Sequence, residues 1–204
     1  MLPILLHPIT TFILGAFSAI IVIGLILSSW TPENTTKDVV EAYNIAKNKA
    51  SNSGPAEDSL AETKARELFT NFLKKVGNLD YLRQNTATVY AEDAYLDDTI
   101  VTHYGPKEIQ KYFEETAQTM TQFEVTIDDV TRSGPDHYFR WTMIFTAPKL
   151  GGATPIHSVG MSQVRFNANG QVAFHQDFWD SGKNIYGQIP MIGGLIHTIR
   201  NRMK

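Results

Sequence analysis

The chain contains no cysteine. That absence excludes a disulfide framework, a thiol nucleophile and a thiolate metal site. It leaves the compartment open, because a chain without cysteine folds in an oxidising or a reducing space alike. A strong charge of either sign is also missing: 18 basic and 21 acidic side chains leave a formal net charge of −3. The chain as a whole therefore carries no electrostatic footprint for nucleic acid, and no such partner is predicted. Phosphate loop, nucleophile elbow, dinucleotide fingerprint and internal repeat are all lacking. What remains is apolar content, 43% hydrophobic and 11% aromatic over 204 residues. This composition fits one packed domain with an appendage.

The appendage is at the N-terminus. No Asp, Glu, Lys or Arg precedes Glu33, and residues 9–27 form an unbroken apolar run. At ~1.5 Å of helix per residue this run nearly matches a ~30 Å hydrocarbon core. Trp30 then stands where an interfacial aromatic belongs, and Pro32 ends the helix. Residues 1–31 are accordingly expected to be a retained single-pass transmembrane anchor, with the lipid bilayer as a partner. The alternative is a cleaved signal peptide. No basic residue precedes the run, however, and no small-x-small site follows it. Gly15 and Ala19, four apart, are candidate membrane-packing positions for a partner helix. Lys37, Lys47 and Lys49 follow the span, so the positive-inside tendency places the C-terminal domain in the cytoplasm; a periplasmic placement is the other orientation.

Residues 32–57 read as a helical stalk and linker, ending at the breaker Ser51-Asn-Ser-Gly-Pro55. A second helix starts near Asp58 or Ser59, with Leu60, Lys64, Leu68, Phe69, Phe72 and Leu73 on one face. Leu79 to Leu82 reads as a helical turn, residues 87–91 and 94–97 as extended, and Gly105-Pro106 opens a helix to about Thr119. Thereafter the period changes. Residues 123–131, 137–147, 156–166 and 171–179 are strand-like, and Asn167-Ala-Asn-Gly170 is a hairpin signal. Helices first and an antiparallel sheet afterwards is an α+β pattern. Residues 58–188 are assigned to this domain, and 189–204 to a C-terminal basic amphipathic helix. Its apolar set is Ile192, Leu195, Ile196, Ile199 and Met203, with His197, Arg200, Arg202 and Lys204 among the polar positions. Such a helix lies on a membrane surface or packs back on the domain.

This element order resembles the nuclear transport factor 2-like superfamily, and within it the bacterial SnoaL-like subgroup of polyketide cyclases and their ketosteroid isomerase-like relatives. The residues that carry the resemblance are Tyr90-Ala-Glu-Asp-Ala-Tyr95, His103-Tyr-Gly-Pro-Lys-Glu-Ile-Gln-Lys-Tyr-Phe113, Gly160-Met-Ser-Gln-Val-Arg-Phe166 and Val172-Ala-Phe-His-Gln-Asp-Phe-Trp-Asp180. The resemblance implies a cone-shaped, curved antiparallel sheet wrapped on the N-terminal helices, with an apolar pocket at its mouth. It also implies a proton-transfer Asp or His in that pocket. An isomerase-like Tyr–Asp–Asp set and an epoxide-hydrolase Asp–Arg–Asp set do not map onto the sequence residue by residue.

In the last strand His175, Asp177 and Trp179 share one face by period-two alternation. His175 and Asp177 are the candidate catalytic pair, because a carboxylate beside an imidazole orients it for moving a proton. The alternative places both side chains merely outside the core. Tyr90, Asp93, Tyr95, Trp141, His157 and Trp179 are the candidate pocket residues. Asp97-Asp98 reads as a solvated turn, and His103-Tyr104 as shaping the start of the helix. Two histidines and a carboxylate without common-element spacing do not make a metal site, so no metal and no cofactor are predicted. The expected function is binding of a small apolar, lipid- or polyketide-like ligand at the membrane, with cofactor-free acid–base chemistry of the isomerase, cyclase or hydrolase kind. The alternative is a non-catalytic accessory subunit of a membrane-protein complex, or a homodimer through the sheet.

Overall fold

The computed structural model describes residues 36–50, 54–150 and 152–203. The proposed anchor at residues 1–31, with Gly15 and Ala19, lies outside the described residues. Among the described residues no helix is long and apolar enough to cross a membrane. The chain divides into two compact units at Asn44–Ile45, a point inside helix α1 (Thr36–Lys49). Everything that follows belongs to the second unit.

Helix α2 (Leu60–Lys74) begins where its first free amides find partners. The Ser59 hydroxyl accepts from the Glu62 amide at 3.1 Å, and the Glu62 carboxylate accepts from the Asp58 amide at 2.6 Å. This reciprocal arrangement is a capping box in all but its exact spacing. Ala65, Phe69, Phe72 and Leu73 are buried, whereas Leu60, expected on the same face, is exposed at the first turn.

Helix α3 (Leu79–Val89) runs further than the expected turn and takes in Ala87 to Val89, which the sequence placed in a strand. Asn78 caps it by accepting from the Tyr81 amide. Leu82, Thr86 and Val89 then form its buried stripe, and the Thr86 hydroxyl donates to the Leu82 carbonyl at 2.7 Å. That bond satisfies a polar group inside the core and lets a β-branched residue continue the helix.

The remaining elements are β1 (Tyr90–Asp97), β2 (Thr102–Tyr104), α4 (Gly105–Thr119), β3 (Gln122–Ser133), β4 (Asp136–Thr146), β5 (Ile156–Phe166), β6 (Val172–Trp179), the short α5 (Ser181–Asn184) and α6 (Ile192–Arg202). Gly105 opens α4 at φ +70, a backbone conformation that only glycine adopts without strain. The strands form one curved sheet in the order β2-β1-β6-β5-β4-β3. It is not wholly antiparallel as expected: β1 and β6 pair in parallel. The chain between them is long enough for a crossover, and a parallel neighbour requires no tight turn.

The inner face of the sheet packs on α2, α3 and α4 around Phe69, Phe72, Tyr90, Phe139, Val164 and Phe166. Edge-to-face aromatic contacts hold this cluster together, with Phe69 4.9 Å from Phe139 and Phe72 5.4 Å from Tyr90 between ring centroids. On the outer face the Arg165 guanidinium grips the Asp136 carboxylate with two bonds, at 2.8 and 3.1 Å. Its remaining Nη1 donates to the carbonyls of Lys47 and Ala50, which pins the end of α1 to the sheet. The residues assigned to a stalk are thus, at their C-terminal end, part of the domain.

Candidate active site

A cavity of about 420 Å³ opens between α4, the inner face of the sheet and the turn after β1. Its walls are mostly apolar, with Phe123, Val125, Met143 and Phe145 on one side and Leu96, Ile100 and Phe113 on another. Into this lining β6 delivers His175, Asp177 and Trp179, as the alternation of the strand requires. A bulge at the start of β6 sets the phase, because Phe166 faces Val172 while Arg165 faces Phe174. Val172 and His175, three apart, therefore both turn inward.

The polar groups are joined in one line. Tyr90 Oη lies 2.9 Å from His175 Nδ1, and His175 Nε2 lies 2.9 Å from Asp177 Oδ1. The same Oδ1 accepts the Ser162 hydroxyl at 2.5 Å, and Ser162 Oγ in turn accepts Trp141 Nε1–H at 3.0 Å. Tyr90 is fully buried. Burial, then the nearby Asp177 charge, hold its phenol well above the usual tyrosine range, so it stays protonated and donates to Nδ1. With Nδ1 accepting from Tyr90, Nε2–H is the donor to Asp177. Both ring nitrogens of His175 are engaged and the side chain is 1% exposed. Asp177 is 18% exposed and both of its bonds converge on Oδ1. Of the two candidates, the carboxylate is the group a ligand can reach.

A second polar cluster lies on the same wall. Asp98 is buried; its Oδ1 accepts the amides of Ile100 and Val101 at 2.9 Å each, and its Oδ2 accepts the Tyr112 hydroxyl. Burial and the adjacent Asp98 carboxylate push the Tyr112 phenol far up. Trp179 Nε1 donates to the Asp98 carbonyl at 2.7 Å, tying the turn to β6. His103 stacks on Tyr112 at 4.7 Å. Asp97-Asp98 is not the solvated turn expected: Asp97 ends β1, and Asp98 is buried, its carboxyl folded inward to close the turn that follows.

Of the pocket residues expected from sequence, Trp141 and Trp179 line the cavity together with the candidate pair His175 and Asp177. Tyr90 stands behind His175 rather than in the lining. Tyr95 is on the opposite face, stacked on Phe174 at 5.3 Å, because β1 shifts register between Tyr90 and Tyr95. Asp93 is exposed in that shifted stretch. His157 is exposed and paired with Ile144, while His175 pairs with Val164, so the two histidines do not meet. Ser162, Asp98 and Tyr112 complete the polar wall. Ser162 had a sequence signal, since β5 alternation in the hairpin sets it opposite Asp177. Among the described residues no group of His, Asp and Glu is placed to hold a metal ion.

The sequence profile of the SnoaL-like domain matches residues 67–175. The chain belongs to the SnoaL-like domain family. The match runs from α2 to His175 and stops just short of Asp177. Comparison with curated proteins finds no match. Among solved structures, a Bacillus subtilis protein provisionally named an isomerase superposes with a TM-score of 0.53 at 16% identity, over 64% of this chain and 97% of that one. A Catenulispora acidiphila protein with a ketosteroid isomerase-like fold, in complex with trimethylamine, gives 0.52 at 18% identity, over 61% and 94%. An LEH-like epoxide hydrolase of M. tuberculosis gives 0.50 at 14% identity, over 71% and 98%. At these identities the likeness establishes the fold of this SnoaL-like domain, and the use of its cavity is argued from the residues that line it.

Proposed function

We propose that this SnoaL-like domain binds a small apolar ligand in its cavity and that Asp177 moves a proton on it, as general base and then general acid, without a cofactor. The observation that carries the reading is the asymmetry of the Asp177 carboxylate: Oδ1 is held by His175 and Ser162, and the side chain faces an apolar cavity. A carboxylate fixed at one oxygen and presented from the other is suited to taking a proton from a carbon beside a carbonyl. Trp141 and Trp179, with ring centroids 6.5 Å apart and planes inclined at 56°, supply an angled aromatic wall for such a ligand. His175 and Tyr90 act through Asp177, by holding it.

The test uses a panel of apolar enolisable ketones in D2O, with deuterium incorporation followed by NMR. Wild-type protein should accelerate exchange for part of the panel, and Asp177→Asn should lower that rate by about 10²–10⁴-fold. Equal rates in the two proteins overturn the proton-transfer role. Native mass spectrometry of the purified protein reads binding separately. A bound apolar molecule without exchange leaves a binding protein, the form that an accessory subunit of a membrane complex would take.

Attachment to a bilayer through residues 9–27 belongs to the same proposal and is supported by the uncharged run in the sequence. Extraction of cell membranes at alkaline pH checks it: an anchored chain stays in the pellet, and a chain released to the supernatant refutes the anchor.

A further inference from the structure

Helix α6 is fastened to the domain by one edge and shows its apolar stripe to solvent. Met191 precedes it at φ 69, and the helix then packs on the Tyr186–Gln188 turn and α5. Gly193 sits so close to that turn that an added Cβ would strike the Gly187 carbonyl. One turn pair further on, Arg200 grips the Asp180 carboxylate, with Nη2 2.8 Å from Oδ2. Gly193, Ile196 and Arg200 mark the attached edge. Ile192, Leu195, Ile199 and Met203 are spaced three, four and four residues apart, which is one stripe of an α-helix. All four are exposed, Leu195 by 62% and Ile199 by 50%. A helix held by a glycine contact and an ion pair keeps this stripe turned away from the body, where no side chain among the described residues covers it.

The charge around the stripe selects what can cover it. After Asp180 the chain carries Lys183, Arg200, Arg202 and Lys204 and no acidic residue, in a protein whose net charge is −3. Arg202 flanks the stripe on the side away from Arg200. An apolar stripe with basic flanks on an otherwise acidic chain matches an anionic lipid surface, where the stripe enters the acyl boundary and the cations meet the headgroups. A second copy of the same face would bring like charges together. We propose that α6 is an interfacial helix that lays the domain on an anionic bilayer through Ile192, Leu195, Ile199 and Met203. The inference is independent of what the cavity binds.

The absence of native cysteine makes the test direct. The full chain, carrying Ile199→Cys or Asn201→Cys with an environment-sensitive fluorophore, is placed in nanodiscs of phosphatidylcholine alone or with phosphatidylglycerol. The label at 199 should shift to the blue and be quenched by lipid-borne spin labels in the discs with phosphatidylglycerol, while the label at 201 stays in water. Arg202→Ala should weaken the anionic preference about fivefold, and Leu195→Asp should abolish the shift with the domain still folded. A label at 199 that stays wet on both compositions overturns the proposal, whether or not the chain co-elutes with the discs. Co-elution alone does not separate α6 from residues 9–27. A blue shift without lipid that grows with protein concentration also overturns it, and assigns the stripe to a protein interface.

Discussion

Tyr90 Oη meets His175 Nδ1 at 2.9 Å in a site with no access to solvent. The bond joins two polar groups from different strands, β1 and β6, that lie side by side in the one parallel pair of the sheet. It also fixes which nitrogen of the imidazole faces Asp177. The histidine is therefore a strut between the aromatic core and the carboxylate, and several measurable consequences follow from that position.

Tyr90→Phe removes the donor and leaves Nδ1 buried without a partner. The expected cost is about 1–3 kcal/mol. Each kcal/mol lowers the melting temperature by about 2–4 °C for a chain of this size. Thermal unfolding by circular dichroism measures it, and an unchanged midpoint would show that the bond contributes nothing.

Gly160 pairs with Trp141 across β4 and β5, and a Cβ there would strike the indole ring. Gly160→Ala should therefore push Trp141 out of its place and break its bond to Ser162, at a cost of about 1–3 kcal/mol. Tryptophan fluorescence reads the displaced ring. Ligand binding should weaken in parallel, because Ser162 then loses its own donor.

Val125 is half-buried at the edge of the core and lines the cavity, so Val125→Trp directs a large side chain into that empty space. The domain should keep its melting temperature while losing most of its affinity for any apolar ligand. Thermal unfolding checks the first half and isothermal titration with a ligand found in the exchange panel the second; undiminished affinity would place the ligand elsewhere.

Stability should depend on pH through Glu62 and His137, whose side chains meet at 2.8 Å on the inner face. Burial raises the Glu62 carboxyl, but hydrogen bonds from His137, the Asp58 amide and Arg132 outweigh it and hold the group below the usual range. Burial lowers His137 below its ordinary value of 6.5, against the pull of Glu62. Both groups are depressed in the folded state, so the unfolded chain takes up protons first as pH falls. The stability that each contributes is complete above its unfolded value and is lost downward, first through His137 below about 6.5 and then through Glu62 in the carboxylate range. Melting temperatures from pH 8 to pH 4 should fall accordingly. His137→Asn should flatten the part between pH 7 and 5, and an unaltered slope there refutes the assignment.

Much of the fold was legible because its signals are periodic. The strands β3 to β6 appear within a residue or two of their expected ends, since β-branched and aromatic runs between turn signals carry their own register. The face shared by His175, Asp177 and Trp179 was legible for the same reason. Tyr95, Asp93 and His157 were misplaced because their positions depend on a register shift in β1 and on the pairing of β5, which are properties of the assembled sheet. Helix α3 runs past its expected end although Ala87-Thr-Val89 has strand-like composition, because Val89 packs in the core and the Thr86 bond satisfies a buried hydroxyl within the helix. Asp98 was read as solvated because a turn normally is. What buries it is Tyr112, reaching over from α4.

The Tyr90–His175 pair has a consequence for engineering. A core selected for stability alone would hold hydrocarbon at both positions, since a matched apolar pair costs nothing to desolvate. Replacing Tyr90 alone should weaken the domain, whereas Tyr90→Phe combined with His175→Leu should restore much of that loss and leave Asp177 without its strut. A double variant as stable as the original, with a carboxylate no longer held at Oδ1, would separate the packing role of the two residues from their hold on Asp177.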